Sequence, residues 1–293
     1  MTRVFVPHSL AELWSALEAA PESALYAGGT DLLVMLRNGT AAPAAMVCLE
    51  RIKDLQGMED HGGEIFIGAC STHSRLMNAP LVRKHFPVLK KALASLGSPP
   101  IRNMGTIGGN IVTASPAGDT LPPLYILGAE LEMRTRAHSR RVPLRDFIKG
   151  PGVTDIRPGE VLTGVWLRKD PGLNLHHFEK VGQRKALAIS VVSLAAVGEI
   201  SPEGVVQRLR CAWGSVGPTV VSCPEAEAHL IGYPFSLKRL QESAAYARKA
   251  VSPIDDLRAT ARYRRQVSGN LLLRLVQYRN GHPLPSLPGK SRP

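Results

Sequence analysis

Short apolar runs and helical stripes alternate from the start of the chain. Val4–Val6 predicts a strand. Ser9 and Glu12 have the spacing of a capping box, ahead of a helix that puts Leu10, Leu13, Trp14 and Leu17 on one face. Leu25–Ala27 predicts the next strand, Asp31–Arg37 a helix with Gly39 as its stop, and Met46–Leu49 a third strand, so the first lobe reads as a small β-α-β-α-β unit. From Leu55 the pattern changes. Gly62-Gly63 predicts a hairpin turn before the strand Glu64–Gly68, and Ser71 or Thr72 can cap a short helix through Leu76. A single second helix is expected over Leu81–Leu96, with Phe86, Leu89, Leu93 and Leu96 on one face. Strands follow at Glu130–Arg134, Arg141–Leu144 and Val161–Leu167, with Pro151, Gly152, Pro158 and Gly159 in the loop before the last. This is a second, mostly antiparallel lobe.

Pro171-Gly172 reads as a linker. Beyond it His176–Val181, Ala188–Glu199 and Val205–Trp213 predict a three-stranded antiparallel sheet. Helices are expected near Pro224–Ile231, Leu237–Ala250 and Thr260–Asn280, the last with Val267, Leu271 and Leu275 as a core stripe. The fold class is α+β: a two-lobed domain over 1–170 (lobes 1–54 and 55–170), a second domain over 171–282, and a proline-rich tail, 283–293, expected to be disordered.

Two glycine-rich stretches interrupt this pattern. Ala27-Gly28-Gly29-Thr30-Asp31 follows a predicted strand, with Thr30 and Asp31 as candidate caps of the next helix. Ile101–Glu132 holds Gly105, Thr106, Ile107, Gly108, Gly109 and Asn110, and then a second turn through Ser115, Pro116, Gly118 and Asp119; its first cluster reads as a loop. Glycine lets backbone amides approach a ligand and point one way, so an anion can be held without a lysine, and Ile101–Glu132 has none. Two such turns can grip one diphosphate from both sides. Neither fits G-x-G-x-x-G or the phosphate loop ending in Gly-Lys-Ser/Thr, and a Gly-Gly pair alone is an ordinary tight turn. The residues therefore suggest a phosphate cradle and leave the ligand open.

Charge adds a question about partners. The net charge is +12 and the pI about 9.9, values compatible with nucleic acid, a membrane surface or an acidic protein. The basic clusters (Arg134 and Arg136, Arg140 and Arg141, Arg264 and Arg265) are short and not interleaved with aromatics, which favours a solvated basic surface over nucleic-acid binding. Cys48, Cys70, Cys211 and Cys223 lack C-x-x-C spacing, so no metal or iron-sulfur site is expected and reduced packing thiols are. His73 and His85 are single histidines on helices, a setting that is more often structural than catalytic. No nucleophile-base set stands out, so no catalytic residue is assigned. The N-terminus lacks the uncharged core of a signal peptide and no apolar run approaches the ~20 residues of a spanning helix, so a cytoplasmic protein without a membrane span is expected.

AGGTD at Ala27–Asp31, TIGGN at Thr106–Asn110 and the following TASPAGDTLPPLYILGAELE resemble the flavin subunit of the molybdenum hydroxylases, in order and spacing, from the first strand to about Asn280. This family includes the medium subunits of carbon monoxide dehydrogenase, of bacterial xanthine dehydrogenase and of aromatic hydroxylases or reductases. The resemblance implies FAD, held in the cleft of a two-lobed fold shared with vanillyl-alcohol oxidase and the peptidoglycan-precursor reductase (the PCMH type), followed by a carbon monoxide dehydrogenase flavoprotein C-terminal-like domain. It implies cofactor contacts at Ala27, Gly28, Gly29, Thr30, Asp31, Thr106, Ile107, Gly108, Gly109 and Asn110, with amides of Gly28, Gly29, Thr30, Gly108 and Gly109 on the pyrophosphate. Leu96 and Leu162 would flank the adenine end, though both have a plain core reading. Asp119 would meet the ribityl or flavin end, or else form an Asx turn. Lys180, in HFEKVG, sits where the family places a lysine near the flavin; alternatively it is an ordinary strand lysine.

The family mechanism needs no acid or base in this subunit. A large molybdopterin subunit oxidises substrate, two [2Fe-2S] clusters in a small subunit carry the electrons, and FAD passes them to NAD, quinone or another acceptor. A hetero-oligomer is thus expected. AGGTD leans toward the xanthine dehydrogenase-like or aromatic N-heterocycle branch, since the carbon monoxide dehydrogenase motif more often ends in His-Ser, and the cysteine-rich insertion of the benzoyl-CoA reductase type is not seen. A self-sufficient flavoenzyme of the same fold and a non-enzymatic basic binding module are the alternatives.

Overall fold

The computed structural model describes residues 2–184 and 187–278; the tail at 283–293 and the end of the helix predicted to Asn280 lie outside them. The first lobe contains β1 (Arg3–Phe5), α1 (Leu10–Ala19), β2 (Ala24–Tyr26), α2 (Leu32–Arg37) and β3 (Ala45–Cys48). Its strands form a parallel sheet in the order β1-β3-β2, as βαβ connections require. Ser9 Oγ caps α1 by accepting from the Glu12 amide at 3.2 Å, while the Glu12 carboxylate reaches back one residue further than a capping box does, to the His8 amide at 2.9 Å. Leu13, Trp14, Val47, Leu49, Ile52 and Leu55 form the core, joined by Val161 of the second lobe.

The second lobe runs through β4 (Met58–Asp60), β5 (Glu64–Gly68), α3 (His73–Asn78), α4 (Pro80–His85), α5 (Pro87–Ser95), α6 (Pro99–Met104), α7 (Ile107–Thr113), α8 (Leu121–Ile126), β6 (Glu130–Arg134), β7 (Ser139–Pro143), α9 (Leu144–Phe147), β8 (Ile148–Gly150), β9 (Val153–Thr154) and β10 (Val161–Arg168). The sheet β4-β5-β10-β6-β7 is antiparallel throughout, with β8 and β9 as a separate hairpin. The single helix expected over Leu81–Leu96 is two. Pro87 has no amide to continue the helix through Phe86 and its ring would strike the preceding turn, so α4 ends and α5 starts with Pro87 in its first turn. The apolar stripe survives the break: Phe86, Leu89 and Leu93 are fully buried. The loop expected at TIGGN is instead the start of α7, capped by Thr106, whose hydroxyl accepts from the Gly109 amide at 3.1 Å.

The C-terminal part holds β11 (Leu175–Val181), β12 (Val192–Ile200), β13 (Val206–Gly214), β14 (Val221–Ser222), α10 (Pro224–Ala228), α11 (Leu237–Ala250) and α12 (Ala261–Leu273). Its antiparallel sheet has four strands rather than three, because the two-residue β14 is too short to stand out in the sequence. β12 is buried on both faces: Ala195 and Val197 join the core of the second lobe, while Leu194 and Ala196 join the core under α11 and α12. Two-sided burial explains why β12 does not alternate apolar and polar residues: Leu194, Ala195, Ala196 and Val197 follow one another. After Leu273 the last helix tightens into a 3-10 turn at Arg274–Tyr278. Among the described residues, no helix is long and apolar enough to cross a membrane.

Candidate functional site

A cleft of about 490 Å³ opens where the first lobe meets α6, α7 and the start of β10, within the ~300–1,000 Å³ usual for ligand sites. It is lined by Ala27, Gly28, Gly29, Thr30, Asp31, Leu96, Thr106, Gly108, Gly109, Asn110 and Leu162, so the two glycine stretches do face one space. Tyr26, Cys70, His73, Ile101, Thr113 and Ile156 also line it and were not foreseen from the sequence. Ile107, Asp119 and Lys180 do not line it: the Ile107 side chain is wholly in the core, and the other two face each other.

The close approach of the two stretches depends on missing side chains. A Cβ on Gly28 would lie 1.7 Å from the Met104 carbonyl oxygen, so the turn after β2 rests directly on the end of α6. Gly29 has φ +65°, the left-handed region that glycine occupies without strain. Neither Thr30 nor Asp31 caps α2 through its side chain; Asp31 instead accepts from Thr113 Oγ1 at 2.9 Å and so links the first stretch to the end of α7. A Cβ on Gly108 would meet Ala69 Cβ at 2.7 Å and Ala69 O at 2.8 Å, which is why α7 can start against the second-lobe sheet.

The amides of the two stretches are used differently. Among the described residues, those of Gly28, Gly29, Thr30 and Asp31 donate to no protein acceptor. Those of the second stretch are committed: Ile107 to Ser71 O (3.1 Å), Gly108 to Ala69 O (2.8 Å), Gly109 to Thr106 Oγ1 (3.1 Å) and Asn110 to Thr106 O (3.0 Å). The Gly108 and Gly109 amides expected on a pyrophosphate are therefore already paired within the protein, and Gly108 packs closely against Ala69; among the described residues of the two motifs, the amides of Gly28–Asp31 and of Thr106 have no protein acceptor. Four unpaired amides in a row suit an acceptor-only anion, each charge-assisted bond contributing ~1.5–3 kcal/mol. Leu96 and Leu162, both nearly buried, form an apolar wall beside them. A ligand with a diphosphate centre and a flat apolar end fits this donor set.

Lys180 Nζ lies 2.5 Å from Asp119 Oδ2 with both side chains buried, and also donates to Ser95 O at 3.2 Å. The Asp119 carboxyl is pushed up to about 6 because burial outweighs the opposing pull of Lys180, and its Oδ1 has no partner. The pair is connected to the cleft: Thr120 Oγ1 donates to Asn110 Oδ1 at 2.5 Å, and Ser95 precedes Leu96. A lysine beside a half-satisfied carboxyl can offset negative charge arriving nearby and leaves one carboxyl oxygen for a polar ligand group.

Residues 1–167 match the family model "FAD binding domain in molybdopterin dehydrogenase", and residues 177–278 match "CO dehydrogenase flavoprotein C-terminal domain". The chain is 29% identical to the nicotinate dehydrogenase FAD-subunit of Eubacterium barkeri, over 89% of this chain and 90% of that one. It is 30% identical to the xanthine dehydrogenase FAD-binding subunit of Escherichia coli O157:H7, over 87% and 88%. Its fold superimposes on a chain of reconstituted CO dehydrogenase from Oligotropha carboxidovorans with a TM-score of 0.90 at 28% identity, covering 97% of this chain and 99% of that one. Over more than half its length, then, this chain belongs to the family of FAD-binding domains of the molybdopterin dehydrogenases.

Proposed function

We propose that the chain is the FAD-carrying, electron-transferring medium subunit of a heteromeric molybdenum hydroxylase. A small subunit with [2Fe-2S] clusters delivers electrons from a large molybdopterin subunit, and the chain passes them to NAD, quinone or another acceptor. The observation that carries this reading is the row of unpaired amides at Gly28–Asp31 facing a cleft with an apolar wall. Bound FAD supplies the redox chemistry, by taking up and releasing electrons. The protein's part is to bind, orient and shield. In this reading Ala27, Gly28, Gly29, Thr30 and Asp31 hold the diphosphate; Thr106, Ile107, Gly108, Gly109 and Asn110 shape the opposite wall; Leu96 and Leu162 flank the adenine; and Asp119 with Lys180 serves the ribityl and flavin end.

The finer assignments rest on the same reading. Residues 1–170 form a PCMH-type domain and those from 171 onward a second, and the complex is cytoplasmic. The AGGTD motif favours an N-heterocyclic substrate for the complex over carbon monoxide. Purification of the full chain together with its co-expressed neighbours tests the proposal. The expected result is a yellow complex in which the flavin is reduced by organic substrate only when the molybdenum and iron-sulfur subunits are present. A chain that lacks flavin in every preparation, or whose flavin the substrate reduces with no partner present, contradicts it.

A further inference from the structure

His73 stands out among the residues with no assigned role. It is the first residue of α3, it lines the cleft, and only 3% of it is exposed. Its backbone amide donates to Gly105 O at 3.0 Å, and Thr72 pairs as a β-bridge with Thr106, so the imidazole is fixed beside the start of the second glycine stretch. The edge of the ring at Cδ2 and the Thr30 hydroxyl converge on one spot: a Cβ on Gly105 would lie 3.2 Å from the former and 3.3 Å from the latter. Gly105 also meets the first stretch directly, since a Cβ on Gly28 would lie 3.1 Å from its amide nitrogen, so the ring stands where the two stretches touch.

The ring is short of partners. Nδ1 is buried with no hydrogen-bond partner. A buried orphan N–H is costlier than an orphan acceptor, which places the proton of the neutral ring on Nε2, next to Cδ2 on the Gly105 side. Burial, helped by the charge of Arg102, pushes the imidazole down to about 4, so the ring is neutral at physiological pH. A neutral imidazole held in a wall beside four free amides has one bond to give, and diphosphate oxygens only accept.

We infer that His73 is a direct ligand of the bound dinucleotide, donating from Nε2 to its diphosphate alongside the amides of Gly28–Asp31. This rests on the FAD reading above and adds a side-chain donor from the second lobe to a cradle otherwise built by the first. The cofactor then bridges the two lobes.

The test is titration of the flavin-free full chain with FAD and with ADP, which shares the diphosphate and adenosine. His73→Leu is expected to weaken both by about 10- to 100-fold, the equivalent of a hydrogen bond to a charged group, while its thermal unfolding without ligand stays near wild type. His73→Gln, which can set an amide nitrogen where Nε2 stood, restores most of the affinity; His73→Asn, which sets one where Nδ1 stood, does not. Leu binding FAD as tightly as wild type overturns the inference, as does Asn restoring affinity as well as Gln. Wild type failing to bind FAD at all sinks the underlying reading instead.

Discussion

The two glycine stretches look alike in the sequence and work differently in the fold. Gly28 and Gly29 follow β2 with amides that donate to no protein acceptor among the described residues; Gly108 and Gly109 open a capped helix with both of their amides already bonded. One is a donor surface, and the other is a buttress that lets α7 press against Ala69 and present Asn110 and Thr106 to the cleft. Gly28 and Gly108 are needed for the same steric reason, a backbone too close for a Cβ, yet only at Gly28 does that closeness leave an amide for a ligand.

The largest effect expected from this contrast is at Gly28. Its Cβ would overlap the Met104 carbonyl, a backbone atom, so Gly28→Ala must push the first stretch away from α6; colourless protein destabilised by about 3 kcal/mol is expected in flavin absorbance and chemical denaturation. Gly108→Ala meets Ala69 less severely. A loss of about 2 kcal/mol is expected, with the folded fraction still binding FAD, because no free donor is removed. If Gly108→Ala lost flavin while keeping its stability, the assignment of the two roles would be reversed. Thr113→Val removes the bond to Asp31 that joins the stretches; about 1 kcal/mol of stability and a several-fold weaker FAD affinity are expected by calorimetry.

A smaller effect sharpens the contrast at the buried Asp119–Lys180 pair, outside the cleft. Because the Asp119 carboxyl titrates at about 6 when folded, above its ordinary 3.8, the fold binds the extra proton, and the contribution of this group is fully present below about 4 and lost as pH rises through 6. The stability of wild type relative to Asp119→Asn should therefore fall between about pH 4 and 6 and level off above. A difference independent of pH would mean that Lys180 keeps the carboxylate ionised throughout.

Much of this arrangement could be read from the residues. The strand expected over Ala188–Glu199 is β12 at Val192–Ile200, and α11 matched its predicted limits, Leu237–Ala250, because an amphipathic stripe and the Ser236 cap agree. Other features could not. The glycines of TIGGN masked a helix whose only local signal was Thr106 three residues before Gly109. Pro87 broke a stripe whose apolar spacing ran through it unchanged. Asp119 and Lys180 meet across 61 residues, and His73 becomes notable only once Gly105 and Thr30 are seen beside it. Pairings of that kind are set by chain topology and leave no local pattern.

Amide hydrogen exchange of the full chain, with and without FAD, reads the donor role of Gly28–Asp31 residue by residue. The amides of Gly28, Gly29, Thr30 and Asp31 are expected to exchange readily in the free chain and become strongly protected on FAD binding, while those of Gly108 and Gly109 are protected in both states. Saturation with FAD that leaves exchange at Gly28–Asp31 unchanged, or that protects only Ile107–Asn110, would contradict that role.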